Sequence, residues 1–486
     1  MFSVAMVFKS ELFSVAMIFT SELFFVAMMF ISEIVLCGYD VQIRRLFSVA
    51  LMFTSEIVLC GYDVHILVVL CDYDVPIRVV LCGYDVHIRR LFLVALMFTS
   101  EIVLCGYDVH ILVVLCGYDV PIRVVLCGYD VHIRRLFSVA LMFTSEIVLC
   151  GYDVHILVVL CGYDVPIRVV LCGYDVHIRS LLSVTIMFTS EIVLCGYDVY
   201  IGVCSLWLLC LHQSLSSVAM MFTSEFVLCG YDIHIRVILC GYDVHFKVVL
   251  CSYDVHIRVD FCGYNVHIRV VLSGYDVHIR SLFSVAIMFT SELSSVAMMF
   301  TSEIVLCGYN IHIRVFLCGY DVHIRVVLCS YDVQIRVDLC GYDVHIRVVL
   351  SGYDVHIRSL SSVAMMFTSE FVLCGYDIHI RVFLCGYDVY IKVVLCSYDV
   401  HIRVDLCGYD VHIRVVLSGY DVHIRSLSSV AIMFTSEFVL CGYDIHIRVI
   451  LFGYDVHFKV VLCSYDVHIR VDLCGYDVHI RVVLSG

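Results

Sequence analysis

The sequence predicts an all-β repetitive fold, either an antiparallel meander or a β-solenoid, built from 11-residue strand–turn units. The main observation is that Val-Val-Leu-Cys-Gly-Tyr-Asp-Val-His-Ile-Arg, as in residues 124–134, recurs along most of the chain. We call this segment the dominant unit. Its Val-His-Ile-Arg-Val-Val-Leu portion is rich in β-branched residues, which is typical of a strand, and Cys-Gly-Tyr-Asp is typical of a turn.

The length of the turn decides which side chains share a face. A four-residue turn pairs Leu126 with Val131, so the Val, Leu, Val and Ile side chains of each unit lie on one side. A three-residue turn would reverse that face at every strand. We therefore expect an antiparallel meander, with a two-strand-per-coil β-solenoid as the alternative. Either arrangement should need a second sheet over its apolar face, and its near-identical strands with exposed edges predict aggregation.

A second 11-residue unit, Leu-Phe-Ser-Val-Ala-Met-Met-Phe-Thr-Ser-Glu, alternates with the dominant one and is close to residues 12–22. We call it the second unit, and its residues are compatible with a short helix or a strand. One DNA repeat can encode both units if it is read in two frames. The third frame then resembles Cys204–Gln213, which contains the only tryptophan, Trp207. The sequence thus predicts a translated tandem repeat (a minisatellite reading frame) with no specific biochemical function.

Four regions follow from the order of the units. Residues 1–33 are three second units in tandem, and residues 34–202 form an array with a 45-residue period. Residues 203–213 are the third-frame segment, and residues 214–486 form an array with a 67-residue period. Such periods are typical of solenoids, although the polar caps that usually end such arrays are not evident.

Differences between copies of the dominant unit follow the genetic code. The His position becomes Pro121, Gln334 or Tyr200, and the second Val becomes aspartate in several copies, as at Asp338. Each replacement is one base from the parent codon. A proline removes a donor from a strand, and an aspartate places a charge where an apolar group stood. The replacements therefore indicate drift rather than selection on a fold.

The amino-acid composition restricts which binding partners are expected. Hydrophobic residues make up 62% of the chain and charged residues 15%, against about 45–50% and about 25% in typical soluble proteins. The net charge is −15, and Arg or Lys recurs singly, so we expect self-association and no nucleic-acid binding. Val199–Ser224 carries no formal charge, which makes membrane association a further alternative. No compartment is predicted.

No catalytic, cofactor-binding or metal-binding residue is predicted. Cys127, Asp130 and His132 resemble a ligand set and recur with most units. However, Pro, Gln or Tyr replaces the histidine in several copies, so a required ligand is not expected. The chain contains no Gly-rich phosphate loop and no nucleophile-elbow motif. Near-copies of one unit do not provide a unique pocket, so we expect no enzyme. The remaining alternative is a structural β-repeat protein that self-assembles through its apolar face.

The 28 cysteines are nearly all the fourth residue of the dominant unit, so their number indicates no redox compartment. Their spacing does distinguish the two folds. In a meander, cysteines at the same end lie two strands apart, roughly 9.5 Å, which exceeds the limit of about 7 Å for a disulfide. In a solenoid, cysteines of stacked coils come within reach, so regular disulfides would favour the solenoid.

Overall fold

Parallel pairing of successive coils is the feature that organises this chain. The computed structural model describes residues 2–205, 221–285 and 299–485, and no helix occurs in those ranges. The chain divides into two compact units, Met1–Phe246 and Lys247–Gly486, called unit 1 and unit 2 below. Each unit is an all-β solenoid of parallel strands.

Eighteen strands account for nearly all the described residues. Unit 1 contains β1 (Phe2–Cys60), β2 (Asp63–Cys82), β3 (Asp85–Cys105), β4 (Asp108–Cys127), β5 (Asp130–Cys150), β6 (Asp153–Cys172), β7 (Asp175–Cys195), β8 (Asp198–Ser205) and the first part of β9 (Met221–Ser273). Unit 2 contains the rest of β9, then β10 (Asp276–Val285), β11 (Met299–Cys318), β12 (Asp321–Ser351), β13 (Asp354–Cys407), β14 (Asp410–Ser418), β15 (Asp421–Val430), β16 (Met433–Phe452), β17 (Asp455–Cys474) and β18 (Asp477–Ser485).

One coil contains two 11-residue units. In unit 1, Asp63 pairs with Asp85 and Asp85 pairs with Asp108, so two coils complete one 45-residue period. In unit 2 the rings of Tyr331, Tyr353, Tyr376 and Tyr398 stack in succession, so three coils complete one 67-residue period.

The antiparallel meander is therefore wrong, and the structural repeat is the two-unit coil rather than the 11-residue unit. The physical reason is that a bend at Cys-Gly-Tyr-Asp leads the chain into the opposite wall of the same coil. The strand then pairs with its equivalent one coil away, in the same direction. Alternation of apolar and polar side chains along a strand is the same in both arrangements, so the local pattern does not separate them.

The apolar face of the dominant unit lines the interior of the coil. Val124, Leu126, Val131 and Ile133 are all buried, with at most 3% of any of them exposed. The prediction that these four side chains share a side is confirmed. A second sheet is not needed to cover them, because the two walls of one coil cover each other. Each such burial contributes about 1.5–3 kcal/mol relative to an exposed side chain.

The second units are strands, so the helical alternative is wrong. In β5 the strand continues through residues 136–146 and pairs in register with dominant units on both sides. Phe143 and Ser145 face the interior. The pairing register shifts between Ile133 and Leu136, which accommodates the extra residue of the longer coils.

Glycine at the corner allows adjacent coils to approach closely. A Cβ atom added to Gly128 would lie 2.7 Å from the carbonyl oxygen of Gly106. The backbone N–H of Tyr129 donates to the carbonyl of Tyr107 at 2.9 Å. In unit 2 the same corner position holds Ser330, whose hydroxyl donates to the carbonyl of Tyr309 at 2.6 Å. That serine replacement is therefore accommodated by a hydrogen bond.

Candidate functional site

In-register stacking converts each outward residue of the unit into a column of like residues, one per coil. A column of ten stacked tyrosine rings runs from Tyr253 to Tyr465 in unit 2, and unit 1 has an equivalent tyrosine column of nine rings. Its rings lie 4.8 to 5.1 Å apart and are nearly parallel, with interplanar angles of at most 2°. Its members are Tyr39, Tyr62, Tyr84, Tyr107, Tyr129, Tyr152, Tyr174, Tyr197 and Tyr231.

A histidine column runs beside an aspartate column on the outward face of unit 1. Successive imidazole rings stack 4.8 to 5.0 Å apart, from His65 to His177. Burial lowers the pKa of His110 to about 4, and the neighbouring His87 and His132 act in the same direction. The stacked imidazole at this position is therefore neutral at pH 7. Burial and the adjacent aspartates conversely raise the pKa of Asp130.

A charge ladder crosses unit 1 because the Glu of a second unit stacks on the Arg of a dominant unit. Arg123 lies 3.7 Å from Glu101 and 3.6 Å from Glu146, measured between side-chain nitrogen and oxygen atoms. Signs alternate at every coil of this ladder. Its members are Glu56, Arg78, Glu101, Arg123, Glu146, Arg168 and Glu191.

Unit 2 has a charge ladder of a different order. The carboxylate of Glu370 lies 3.5 Å from a guanidinium nitrogen of Arg347 and 2.9 Å from the ammonium nitrogen of Lys392. The hydrogen bond from Lys392 lowers the pKa of the Glu370 carboxyl. Lys392 pairs in the next coil with Arg414, which is also a cation. Two cations thus separate successive glutamates, because a second unit occurs only in every third coil.

The cysteines also form columns, and the two units differ in them. In unit 1 the column is continuous through Cys37, Cys60, Cys82, Cys105, Cys127, Cys150, Cys172, Cys195 and Cys229. In unit 2 Ser351 and Ser418 interrupt the equivalent column. Burial and the adjacent thiol of Cys105 raise the pKa of Cys127, so it is a thiol rather than a thiolate at neutral pH.

A cluster of three arginines in unit 2 is not evident from the sequence, because the Arg residues of this unit recur singly. Arg336, Arg358 and Arg381 line one groove of about 940 Å³ on the outward face. Only the coil length could have revealed their proximity. Asp338 lies in the same groove and 3.4 Å from Arg336, so the surface is of mixed charge. The expectation of no nucleic-acid partner stays a prediction.

The ligand-like trio Cys127, Asp130 and His132 does not form a metal centre. Across the described parts of the chain, no group of three or more His, Cys, Asp or Glu side chains could hold a metal ion. The same parts contain no helix long and apolar enough to cross a membrane. Most of the uncharged segment Val199–Ser224, including residues 206–220, lies outside the described residues.

The replacements among dominant units differ between inward and outward side-chain positions. Asp338 replaces an outward valine and contacts Arg336, whereas the adjacent inward Val337 is unchanged. Pro121 stands at the outward His position, beside Thr144 of the next coil. Every inward position of the dominant units holds Val, Ile, Leu or Phe. The physical reason is that a charge is tolerated only where water reaches it.

These coils, corners and outward columns define a class of protein, the parallel β-solenoid repeat proteins. No protein-family model, characterised protein or solved structure matches the chain.

Proposed function

We propose that this chain is a structural β-repeat protein that self-associates and has no catalytic activity. The supporting observation is that replacements among dominant units are polar or charged only at outward positions. Val337 and its outward neighbour Asp338 illustrate it, because two adjacent valine codons are equally able to mutate to aspartate. An aspartate at the buried position would leave a charge in an apolar interior, which is strongly destabilising.

The nucleotide sequence of the gene tests this proposal directly. Silent and replacement differences among the repeat copies are counted separately for inward and outward codons. We expect silent differences to exceed replacements at inward codons only. Equal proportions at the two kinds of codon would contradict selection on the coil.

The surface proposed for self-association is the tyrosine column of unit 1, and the partner is a second copy of this chain. Tyr107 and Tyr129 are each 42% exposed, and their rings stack 4.9 Å apart. A second chain carries the same spacing, so its tyrosine column can pack in register against the exposed edges of this one along its whole length. The apolar face expected to mediate assembly lies inside the coil, which leaves the outward tyrosine columns, this one among them, as the extended aromatic surfaces.

Sedimentation velocity of the full chain tests the role of this column. Replacing Tyr107, Tyr129 and Tyr152 together by Ser should shift the protein from oligomers towards monomer. The matched control replaces Tyr118 and Tyr163, which alternate with Leu141 in a different column and are similarly exposed. Equal loss of oligomers in both variants would refute a specific role for the stacked column.

A second candidate is that the chain is a translated minisatellite with no selected function. The observation in its favour is Ser145, whose hydroxyl is buried without a hydrogen-bond partner. Ile122 and Ile167 occupy the same position in the adjacent coils. An unpaired buried hydroxyl costs about 1–3 kcal/mol, and a change of reading frame would place it there without regard to packing. The codon comparison above distinguishes the two candidates.

A further inference from the structure

Serines divide the cysteine column of unit 2 into isolated pairs. Ser351 pairs with Cys374, and Ser418 pairs with both Cys396 and Cys441. We call the three resulting pairs the paired thiols: Cys307 with Cys329, Cys374 with Cys396, and Cys441 with Cys463. We propose that each of the paired thiols is an oxidation site that reacts with a peroxide and closes to a disulfide between adjacent coils.

The backbone geometry fits such a bond. Cys307 and Cys329 are direct partners in the parallel ladder, as are Cys441 and Cys463. Neighbouring strands lie about 4.8 Å apart, within the range of about 4.4–6.8 Å between the Cα atoms of a disulfide. Both Cys307 and Cys329 are exposed, so a small oxidant can reach them.

Contacts between neighbouring residues position the remaining pair, Cys374 and Cys396. The rings of Tyr376 and Tyr398, each two residues beyond a cysteine of the pair, stack 4.9 Å apart. Glu370 and Lys392, each four residues before, form an ion pair at 2.9 Å. Contacts on both sides therefore hold Cys374 and Cys396 at the same level of adjacent coils, and both side chains are exposed.

The flanking serines make each partner unique. A serine hydroxyl cannot form a disulfide, so Cys374 can bridge only to Cys396 within its column. In unit 1, by contrast, Cys127 has Cys105 on one side and Cys150 on the other. Oxidation should therefore yield defined bridges in unit 2 and a mixture of alternative bridges in unit 1.

The reaction balances with hydrogen peroxide as the only co-reactant. The thiolate of one cysteine attacks a peroxide oxygen, which forms a sulfenic acid and releases one water. The thiolate of its partner then attacks the sulfenic sulfur, which forms the S–S bond and releases a second water. Two thiols are oxidised and one peroxide is reduced. Burial and the adjacent thiol raise the pKa of Cys307, so the thiolate is a minor species and the reaction is slow at neutral pH.

The test is oxidation of the full chain with hydrogen peroxide, alkylation of remaining thiols with iodoacetamide, tryptic digestion and mass spectrometry. Arg314 and Arg325 lie between Cys307 and Cys329, so a bridge links two separate peptides. We expect the disulfide-linked pair of peptides that contain Cys307 and Cys329 to be the main bridged product of either cysteine. Dithiothreitol should reduce the disulfide and separate the two peptides. Cys127 should be found bridged to both of its neighbours.

Matched variants make the result decisive. Cys329→Ser should leave Cys307 alkylated, and serine already occupies this column at Ser351. Cys340→Ser, in the other column, should leave the Cys307–Cys329 yield unchanged. Ser351→Cys joins two pairs into one run, so Cys329 should then appear in two bridged peptides. The proposal would be overturned if Cys307 were bridged to many cysteines at random. It would also be overturned if Cys307 remained a free thiol under conditions in which Cys127 is fully bridged.

Discussion

Unit 1 and unit 2 have the same interior and differ in how often a second unit interrupts the coils. In unit 1 an interruption comes at every second coil, and in unit 2 at every third. The charge ladder consequently alternates in sign around Arg123, whereas Lys392 and Arg414 are adjacent cations. The difference teaches that the period counted in coils, rather than residue composition, sets the chemistry of a solenoid surface.

The cysteine columns illustrate the same lesson. A continuous column gives each interior thiol of unit 1 two equivalent neighbours, as at Cys127. Serine at every third coil gives each thiol of the pairs in unit 2 a single neighbour, as at Cys374. Residue types that look identical along the sequence thus differ in what they can react with.

The largest expected effect tests whether the two interiors are equivalent. Leu126 in unit 1 and Leu395 in unit 2 are both fully buried. Replacing either by Ala should lower the free energy of unfolding by about 2–5 kcal/mol, since each leaves a cavity. Urea unfolding of the full chain measures this change in the free energy of unfolding, with the outward substitution Val125→Ala as the control. A large loss in one unit and none in the other would show that the interiors differ.

The next effect concerns pH and the histidine column. The pKa of His110 is lowered from 6.5 to about 4 in the folded chain, so the unfolded chain binds more protons below pH 6.5. Stability is therefore complete above pH 6.5 and is lost as pH falls towards 4. We expect the urea midpoint to decrease between pH 7 and pH 5. The urea midpoint of the variant His110→Gln, which carries the residue found at Gln334, should decrease less over the same pH range. If the pH dependence of the midpoint were unchanged in this variant, His110 would be excluded as its cause.

The buried serines of the second units should give a gain in stability. Ser145→Ala in unit 1 and Ser369→Ala in unit 2 each remove a buried hydroxyl that has no hydrogen-bond partner. We expect each to raise the free energy of unfolding by about 1 kcal/mol. The exposed Ser351→Ala serves as the control in the same urea titration. A loss of stability in the first two variants would indicate that these hydroxyls are stabilising.

The smallest effect concerns the charge ladders. Arg123→Ala removes two ion pairs in unit 1. Lys392→Ala removes one ion pair and also removes the repulsion between Lys392 and the adjacent cation Arg414. Exposed ion pairs contribute about 0.2–1 kcal/mol each, so Arg123→Ala should cost more. Salt should reduce that difference, because these charges are exposed and screened. An equal cost at low and high salt would show that the order of charges is unimportant.

Much of the local structure was predictable from the sequence. The β-branched alternation around Val131 predicts strands, and the shared side predicted for Val124, Leu126, Val131 and Ile133 is confirmed, although the hairpin turn from which it was argued is wrong. These features depend on interactions between residues close together in the chain, which a single unit already contains. The proposed oxidation sites were not predictable in this way, because Cys307 and Cys329 belong to different coils.

The sequence by itself determined the β-structure and the inward and outward faces. Only the tertiary structure decided that the strands run parallel, that two units close one coil, and that Arg123 meets Glu101 and Glu146. The physical reason is that alternation along a strand has the same period in parallel and antiparallel sheets. The neighbour of any outward residue depends on the length of a closed coil, which is a property of the whole turn of chain.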